Sequence, residues 1–297
     1  MIFLKRLKHL FELYKRGIQP SVSHYLLGGR GLPSVAIDRG GSVGNKWDDS
    51  WKAIADELSR HPMDFLRQPV ISRTVHPNQQ ELALAYLREL RQDAFAGDKV
   101  LPRLHDLPIG DPFLCESFPF ASPLSIQHGY YLFLMKKYFN LFIPESDLDH
   151  ILELGGGYGN FCRLTCYFGY LKRYVIADLP EMHSLQQHFL GHALPQRVQG
   201  GLLDFCSLSD SDIWPNEGLS LFMATFSLSE MPLAMRLEIE EQYDAFDYLF
   251  FAYNKSFDGV DNQEYFNKLE CELRNKFHID HIKDKHRRAW FMLAQRK

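Results

Sequence analysis

The stretch His150–Leu164, HILELGGGYGNFCRL, sets Ile151, Leu152 and Leu154 around one acid, Glu153, and then runs into Gly155, Gly156, Gly157 and Gly159. A short apolar run of this kind reads as a buried strand, and the following NFCRLTCYF reads as a helix. A helix that starts directly after a strand exposes unpaired amide groups and a partial positive charge at its first turn. Glycines at that turn permit positive φ and let another group approach the backbone closely.

Working outward, short apolar runs alternate with helical patterns: YVIADL, a helix near EMHSLQQHFLGHAL, RVQGGLL, LSLFMATFSL, a helix near PLAMRLEIEEQYDAF, YLFFAYN, and a helix near NQEYFNKLECELRNK. Continuous apolar strands between helices predict a mainly parallel sheet covered on both faces. The last two runs, FHIDHI and RAWFMLAQ, are separated only by KDKHR, which is too short for a helical crossover and suits an antiparallel hairpin. Asp178 closes YVIAD 25 positions after Glu153, the spacing of one strand–helix–strand step, where a carboxylate can accept both hydroxyls of a ribose. Asp204 and Phe205 in GGLLDF are expected just past the third strand, giving three acids at three successive strand ends. A dinucleotide fingerprint GxGxxG would need glycine at position 160, where the chain has Asn160.

The pattern acid-x-Gly-x-Gly-x-Gly, formed by Glu153, Gly155, Gly157 and Gly159, resembles motif I of the class I S-adenosylmethionine-dependent methyltransferases. The resemblance implies a Rossmann-like seven-stranded α/β sheet with its last strand antiparallel, and S-adenosyl-L-methionine as cofactor. It places Glu153 near the methionine end, Asp178 with Leu179 at the ribose, and Asp204 with Phe205 at the adenine. ILELGGGYGN, IADLPE and FSLSEMP together are further similar to a sugar O-methyltransferase family associated with bacterial surface glycans, over roughly residues 110–297. That implies methyl transfer to a sugar hydroxyl in polysaccharide biosynthesis. Small-molecule O-methyltransferases with a similar DLP motif carry a catalytic histidine near the end of the fourth strand. This chain has no histidine between His192 and His278.

Methyl transfer to a hydroxyl requires in-line alignment and removal of a proton. Glu230 in FSLSEMP is the first candidate, as base, as a carboxylate gripping a sugar hydroxyl, or as an acid at a helix N-terminus. Ser229 beside it is a candidate substrate contact. His128 in IQHGYYLF is a second catalytic candidate, with Tyr130 and Tyr131 available for stacking on a sugar or for the core. Glu116 in FLCESFPF could bind substrate hydroxyls or the cofactor's amino group. His183, His188 and His192 share no common helix face, and His278 and His281 alternate along a strand, so no metal site is expected.

The N-terminal part is of a different kind. MIFLKRLKHLFELYKRG carries apolar residues at helical spacing with lysines and arginines on other faces, which suits packing on the protein, a homodimer contact or peripheral membrane contact. It lacks the continuous apolar core of a signal peptide. Residues 20–46 read as a glycine- and proline-rich loop in which GGSVGNK fails the phosphate-loop pattern. WDDSWKAIADELSRH and NQQELALAYLREL read as helices, so residues 1–120 are expected to form a helical accessory and substrate-capping region ahead of a cofactor-binding domain at 121–297.

The 297 residues carry a formal charge of −4, with no basic excess of the kind that tracks nucleic acid. Five cysteines without CxxC spacing predict reduced thiols and a cytoplasmic protein. Alternatives with the same sheet are an aromatic or polyketide O-methyltransferase, and a non-catalytic scaffold that would have no physical need for Glu153, Asp178 and Asp204 together.

Overall fold

The computed structural model describes residues 48–210 and 213–297, apart from the side chains of residues 48–52. The expected amphipathic helix at residues 2–16, the loop of 20–46 and the membrane or dimer contacts attached to them lie outside the described residues. No helix among the described residues is long and apolar enough to cross a membrane.

Two compact units are present, and they do not coincide with the boundary expected at 120/121. Among the described residues, one holds 48–129 with Gly157–Leu164 and Leu179–Gln199; the other holds Tyr130–Gly156, Thr165–Asp178 and Gly200–Lys297. The first is helical: α1 (Asp48–Arg60), α2 (Pro69–Val75), α3 (Gln80–Gln92), the start of α4 (Pro123–Phe139), the start of α5 (Asn160–Phe168), α6 (Pro180–Ala193) and α7 (Pro195–Gln199). Pro69 and Pro180 stand in the first turns of α2 and α6, where a missing amide proton costs nothing.

The second unit carries the sheet: β1 (His150–Leu154), β2 (Arg173–Ala177), β3 (Leu203–Cys206), β4 (Ser220–Thr225), β5 (Tyr248–Asn254), a small hairpin of β6 (Ser256–Phe257) and β7 (Val260–Asp261), β8 (Phe277–Lys283) and β9 (Ala289–Arg296). The order is β3-β2-β1-β4-β5-β9-β8; β3 to β5 are parallel, and β9 runs against both β5 and β8. This is the expected seven-stranded α/β sheet with its last strand antiparallel. The helices α8 (Leu233–Glu240) and α9 (Asn262–Leu273) cover one face, where Leu152, Leu154, Val175, Phe222, Phe251 and Phe266 join one apolar core. Asp261 caps α9, its side chain accepting the Glu264 amide at 3.2 Å. On the opposite face Tyr131 packs on Phe250 and Phe291, and Phe139 on Tyr248.

The third strand departs from expectation. RVQGGLL is not extended: Pro195 opens the short helix α7, Gly201 turns the chain at φ +65°, and the strand is LDFC. Proline at a first helical position and the Gly200–Gly201 pair outweigh the β-propensity of one valine.

The order reverses direction between β1 and β4, which neighbour each other at the centre of the sheet. There a Cβ on Gly155, whose φ is +71°, would overlap Cβ of Ser227. We therefore expect Gly155→Ala to destabilise the protein by about 2–4 kcal/mol, from left-handed strain plus overpacking. Gly201→Ala, with comparable φ but nothing within 4 Å, should cost only about 1–2 kcal/mol. Equal losses for the two variants in urea titrations would show that the contact with Ser227 contributes nothing.

Candidate functional site

In the second unit, parallel register sets Phe205, Ile176, Glu153 and Met223 in one row across β3, β2, β1 and β4. Glu153 is 2 % exposed in that otherwise apolar row, and its Oε2 accepts the Tyr174 hydroxyl at 2.7 Å. Burial pushes its carboxyl up to about 7; the Tyr174 bond partly offsets this, and the nearby Asp178 charge adds to the rise. Asp178 follows β2 directly and is half-buried, and its amide donates to the Cys206 carbonyl at 3.1 Å. Glu153 and Asp178 thus lie at neighbouring strand ends on the same side of the sheet.

Asp204 does not join them. It is the second residue of β3, level with Val175 and Leu152, and its carboxylate meets Arg173 Nε at 3.1 Å. The pleat turns it to the face opposite Glu153. Phe205, one residue further, is half-buried on the Glu153 face. The expectation of three strand-end acids is therefore corrected to two acids and an aromatic, because β3 begins later than RVQGGLL suggested.

Beyond β4 the chain turns sharply. Phe226 takes φ +76°, unusual for a bulky side chain, and its amide donates to the Ala252 carbonyl at 2.7 Å. The Ser227 hydroxyl donates to the Leu154 carbonyl at the end of β1. Glu230 ends the following single turn; Asn254 Nδ2 donates to its Oε1 at 3.3 Å, and burial pushes its carboxyl up to about 7. Ser229, expected to bind substrate, is fully buried and donates its hydroxyl to the Phe226 carbonyl at 2.7 Å. Its own carbonyl accepts from Arg236 and Asn262, so it shapes the turn. Tyr130 and Tyr131 are likewise core residues, 6 % and 0 % exposed; the Tyr131 hydroxyl accepts from Arg287 Nη2 at 2.7 Å. The spacing of these residues could not distinguish a stacking platform from a core.

In the first unit the glycine turn continues. Gly157 and Gly159 have φ +55° and +92°. A Cβ on Gly157 would reach Val75 at 3.5 Å, and one on Gly159 would strike Leu190 at 2.5 Å. Gln186 Nε2 donates to the Gly157 carbonyl at 3.0 Å, and Leu179 caps α6 in extended backbone. Glu116 is exposed, its amide bonded to Gln80 Oε1 at 2.9 Å.

His128 sits in a buried network that sequence inspection did not detect. Arg163, fully buried, pairs with Asp106 at 2.9 Å and also donates to Asn160 Oδ1 at 2.7 Å. Burial alone would raise the Asp106 carboxyl, but Arg163 and the bonds from Ser125 and Ser122 outweigh it and hold the group below the ordinary range. With its oxygen facing Arg163, Asn160 turns its amide nitrogen to His128 Nδ1 at 3.1 Å. Nδ1 is therefore the acceptor of that bond. No group of His, Cys, Asp and Glu among the described residues has the arrangement of a metal site.

No protein-family model and no curated protein matches the chain. Among solved structures it is similar to the pyocyanin biosynthetic protein PhzM, at 10 % identity over 86 % of this chain and 70 % of that one, with a TM-score of 0.40. It is similar to the methyltransferase domain of a bacterial Hen1 protein at 9 % identity, covering 57 % of this chain and 97 % of that one, TM-score 0.43. A ribosomal protein L11 methylase from Lactobacillus delbrueckii subsp. bulgaricus shares 15 % identity over 58 % of this chain and 79 % of that one, TM-score 0.37. The strand order of the chain itself defines it as having the class I methyltransferase fold.

The raised carboxyl of Glu153 has a thermodynamic consequence. Its native pKa of about 7 lies above the ordinary glutamate value of 4.5, so the folded state holds the proton more tightly than the unfolded state. Its contribution to stability is then lost as pH rises from about 4.5 to about 7. We expect Glu153→Gln to remove that loss, gaining up to about 3 kcal/mol relative to wild type between pH 4.5 and pH 8. His76 and His150, lowered by burial to about 4, slope the opposite way as pH falls but cancel in the difference between the two proteins. A difference that stays flat across urea titrations at these pH values contradicts a protonated Glu153.

Proposed function

We propose that the protein is an S-adenosylmethionine-dependent O-methyltransferase whose acceptor is a sugar hydroxyl of a surface polysaccharide or its precursor, acting in the cytoplasm. The observation that supports this best is Glu153 beside Asp178, at successive strand ends where the order of the sheet reverses. Open α/β sheets bind ligands outside the carboxyl ends of their strands at that point. A buried carboxylate with a single hydroxyl partner is costly, and a cationic ligand compensates it. S-adenosylmethionine, with an ammonium and a sulfonium charge, fits that requirement, and Asp178 would accept its ribose hydroxyls.

The cofactor supplies an electrophilic methyl group; the protein has to align the acceptor oxygen and take its proton. Glu230 is the group suited to that step. It follows β4, is mostly buried, and has a carboxyl raised to about 7, close to the value that best balances availability against basicity. Asn254 orients it through Oε1. The sugar assignment rests on FSLSEMP with IADLPE, and an aromatic hydroxyl is the competing acceptor.

Calorimetric titration with S-adenosylhomocysteine is expected to show micromolar binding, with NADH giving none. Asp178→Ala should weaken it at least about tenfold through loss of charge-assisted bonds to the ribose. Undiminished affinity in that variant removes the ribose assignment. For transfer to a glycan acceptor, kcat/KM should rise with pH and level off above about 7, as Glu230 loses its proton. Glu230→Gln should lower it about 100-fold or more and abolish that limb. A profile unchanged by the substitution excludes Glu230 as base.

A further inference from the structure

Five of the six residues Lys283, Asp284, Lys285, His286, Arg287 and Arg288 are basic, in a chain whose formal charge is −4. Lys283 ends β8, and Asp284 to Arg288 form the turn into β9. The one acid points inward: Asp284 is 3 % exposed, and its carboxylate accepts from the His286 amide at 2.9 Å and from Arg287 Nε at 3.2 Å. Lys283, Lys285 and Arg288 are exposed, as is His286, and the two lysines and the arginine make the outer surface of the turn cationic.

Its position follows from the register. Because β9 is antiparallel to β5, Ala289 pairs with Asn254 at the carboxyl end of β5. The basic turn therefore lies on the edge of the sheet that carries Glu153 and Asp178. Asn254 is the residue that bonds Glu230, and Arg288 directly precedes Ala289, the strand partner of Asn254. Arg287 makes a second connection. Its guanidinium lies 4.4 Å from the ring centroid of Phe226, while the Phe226 carbonyl accepts the Glu230 amide at 3.1 Å. A fixed frame of Asp284, Tyr131 and Phe226 holds Arg287, and the exposed cations surround it.

We propose that this turn is the acceptor subsite, and that the acceptor carries a phosphate or diphosphate close to the hydroxyl that Glu230 deprotonates. The assignment rests on the methyltransferase reading and narrows it from sugars in general to phosphate-bearing sugars, such as a nucleoside diphosphate sugar. Two features favour a small phosphorylated molecule over nucleic acid. The basic residues are concentrated in one turn next to a buried carboxylate, and the chain as a whole has no basic excess that could follow a polymer backbone.

The test is calorimetry of the full chain, saturated with S-adenosylhomocysteine, against pyrophosphate, uridine diphosphate and methyl glucoside. Wild type should bind pyrophosphate, and the double variant Lys285→Ala/Arg288→Ala should bind it at least about tenfold more weakly, with unchanged melting temperature and S-adenosylhomocysteine affinity. Tighter binding of uridine diphosphate than of pyrophosphate assigns a nucleotide-linked acceptor; equal binding assigns the phosphate alone. Absence of pyrophosphate binding in wild type, equal affinity in the variant, or binding of single-stranded RNA in preference to both phosphates overturns the proposal. Failure of S-adenosylhomocysteine to bind in the first step instead counts against the cofactor reading, so the two are separable.

Discussion

The close approach of Ser227 to Gly155 is the constraint on which the carboxyl edge of the sheet depends. With Cβ of Ser227 occupying the space a side chain at position 155 would need, the turn after β4 lies directly on the turn after β1. The Ser227 hydroxyl closes the arrangement by donating to the carbonyl of Leu154. Strand order makes β1 and β4 neighbours; this contact determines how their exits diverge. Phe226, in left-handed backbone just before the serine, is part of the same turn, and strain of order 1–3 kcal/mol at such a residue persists only where its surroundings enforce it. The enforcing contacts are the Phe226 amide on Ala252 and the Ser229 hydroxyl on the Phe226 carbonyl.

The protein buries carboxylates in two opposite ways. Asp106 is given a guanidinium and two serines, and stays ionised despite complete burial. Glu153 receives one tyrosine hydroxyl and Glu230 one amide nitrogen, and both are raised toward neutrality. Full satisfaction yields a fixed structural charge. Partial satisfaction leaves a group whose charge responds to whatever enters beside it, and pairs of environments of this kind are characteristic of sites that bind and react.

What the sequence disclosed depended on how local the determinant was. β1 and its turn were legible because four glycines leave few alternatives after an apolar strand. Asp178 was legible from a single strand–helix–strand spacing, and the terminal hairpin from a linker too short to be anything else. β3 was misplaced because one valine in RVQ looked extended, while Pro195 and Gly201 governed the backbone. Tyr130 and Tyr131, open on sequence to stacking or to the core, and Ser229, a candidate substrate contact, are all buried, because burial is a tertiary property, invisible in residue type. Arg163 and Asp106 lie far apart in sequence, in stretches without any motif, and nothing short of the folded chain brings them together.

The two compact units are not consecutive pieces of chain. The polypeptide passes between them at 129/130, 156/157, 164/165, 178/179 and 199/200, once within the glycine turn itself. A fragment beginning near residue 121 would therefore keep Arg163 while discarding Asp106, leaving a guanidinium built for full burial without its counter-charge, a defect on the order of 3–5 kcal/mol. The helical segment ahead of the sheet cannot be regarded as a detachable appendage. Exchange of this segment with that of a related chain would have to carry Gly157–Leu164 and Leu179–Gln199 along with it as one inherited block.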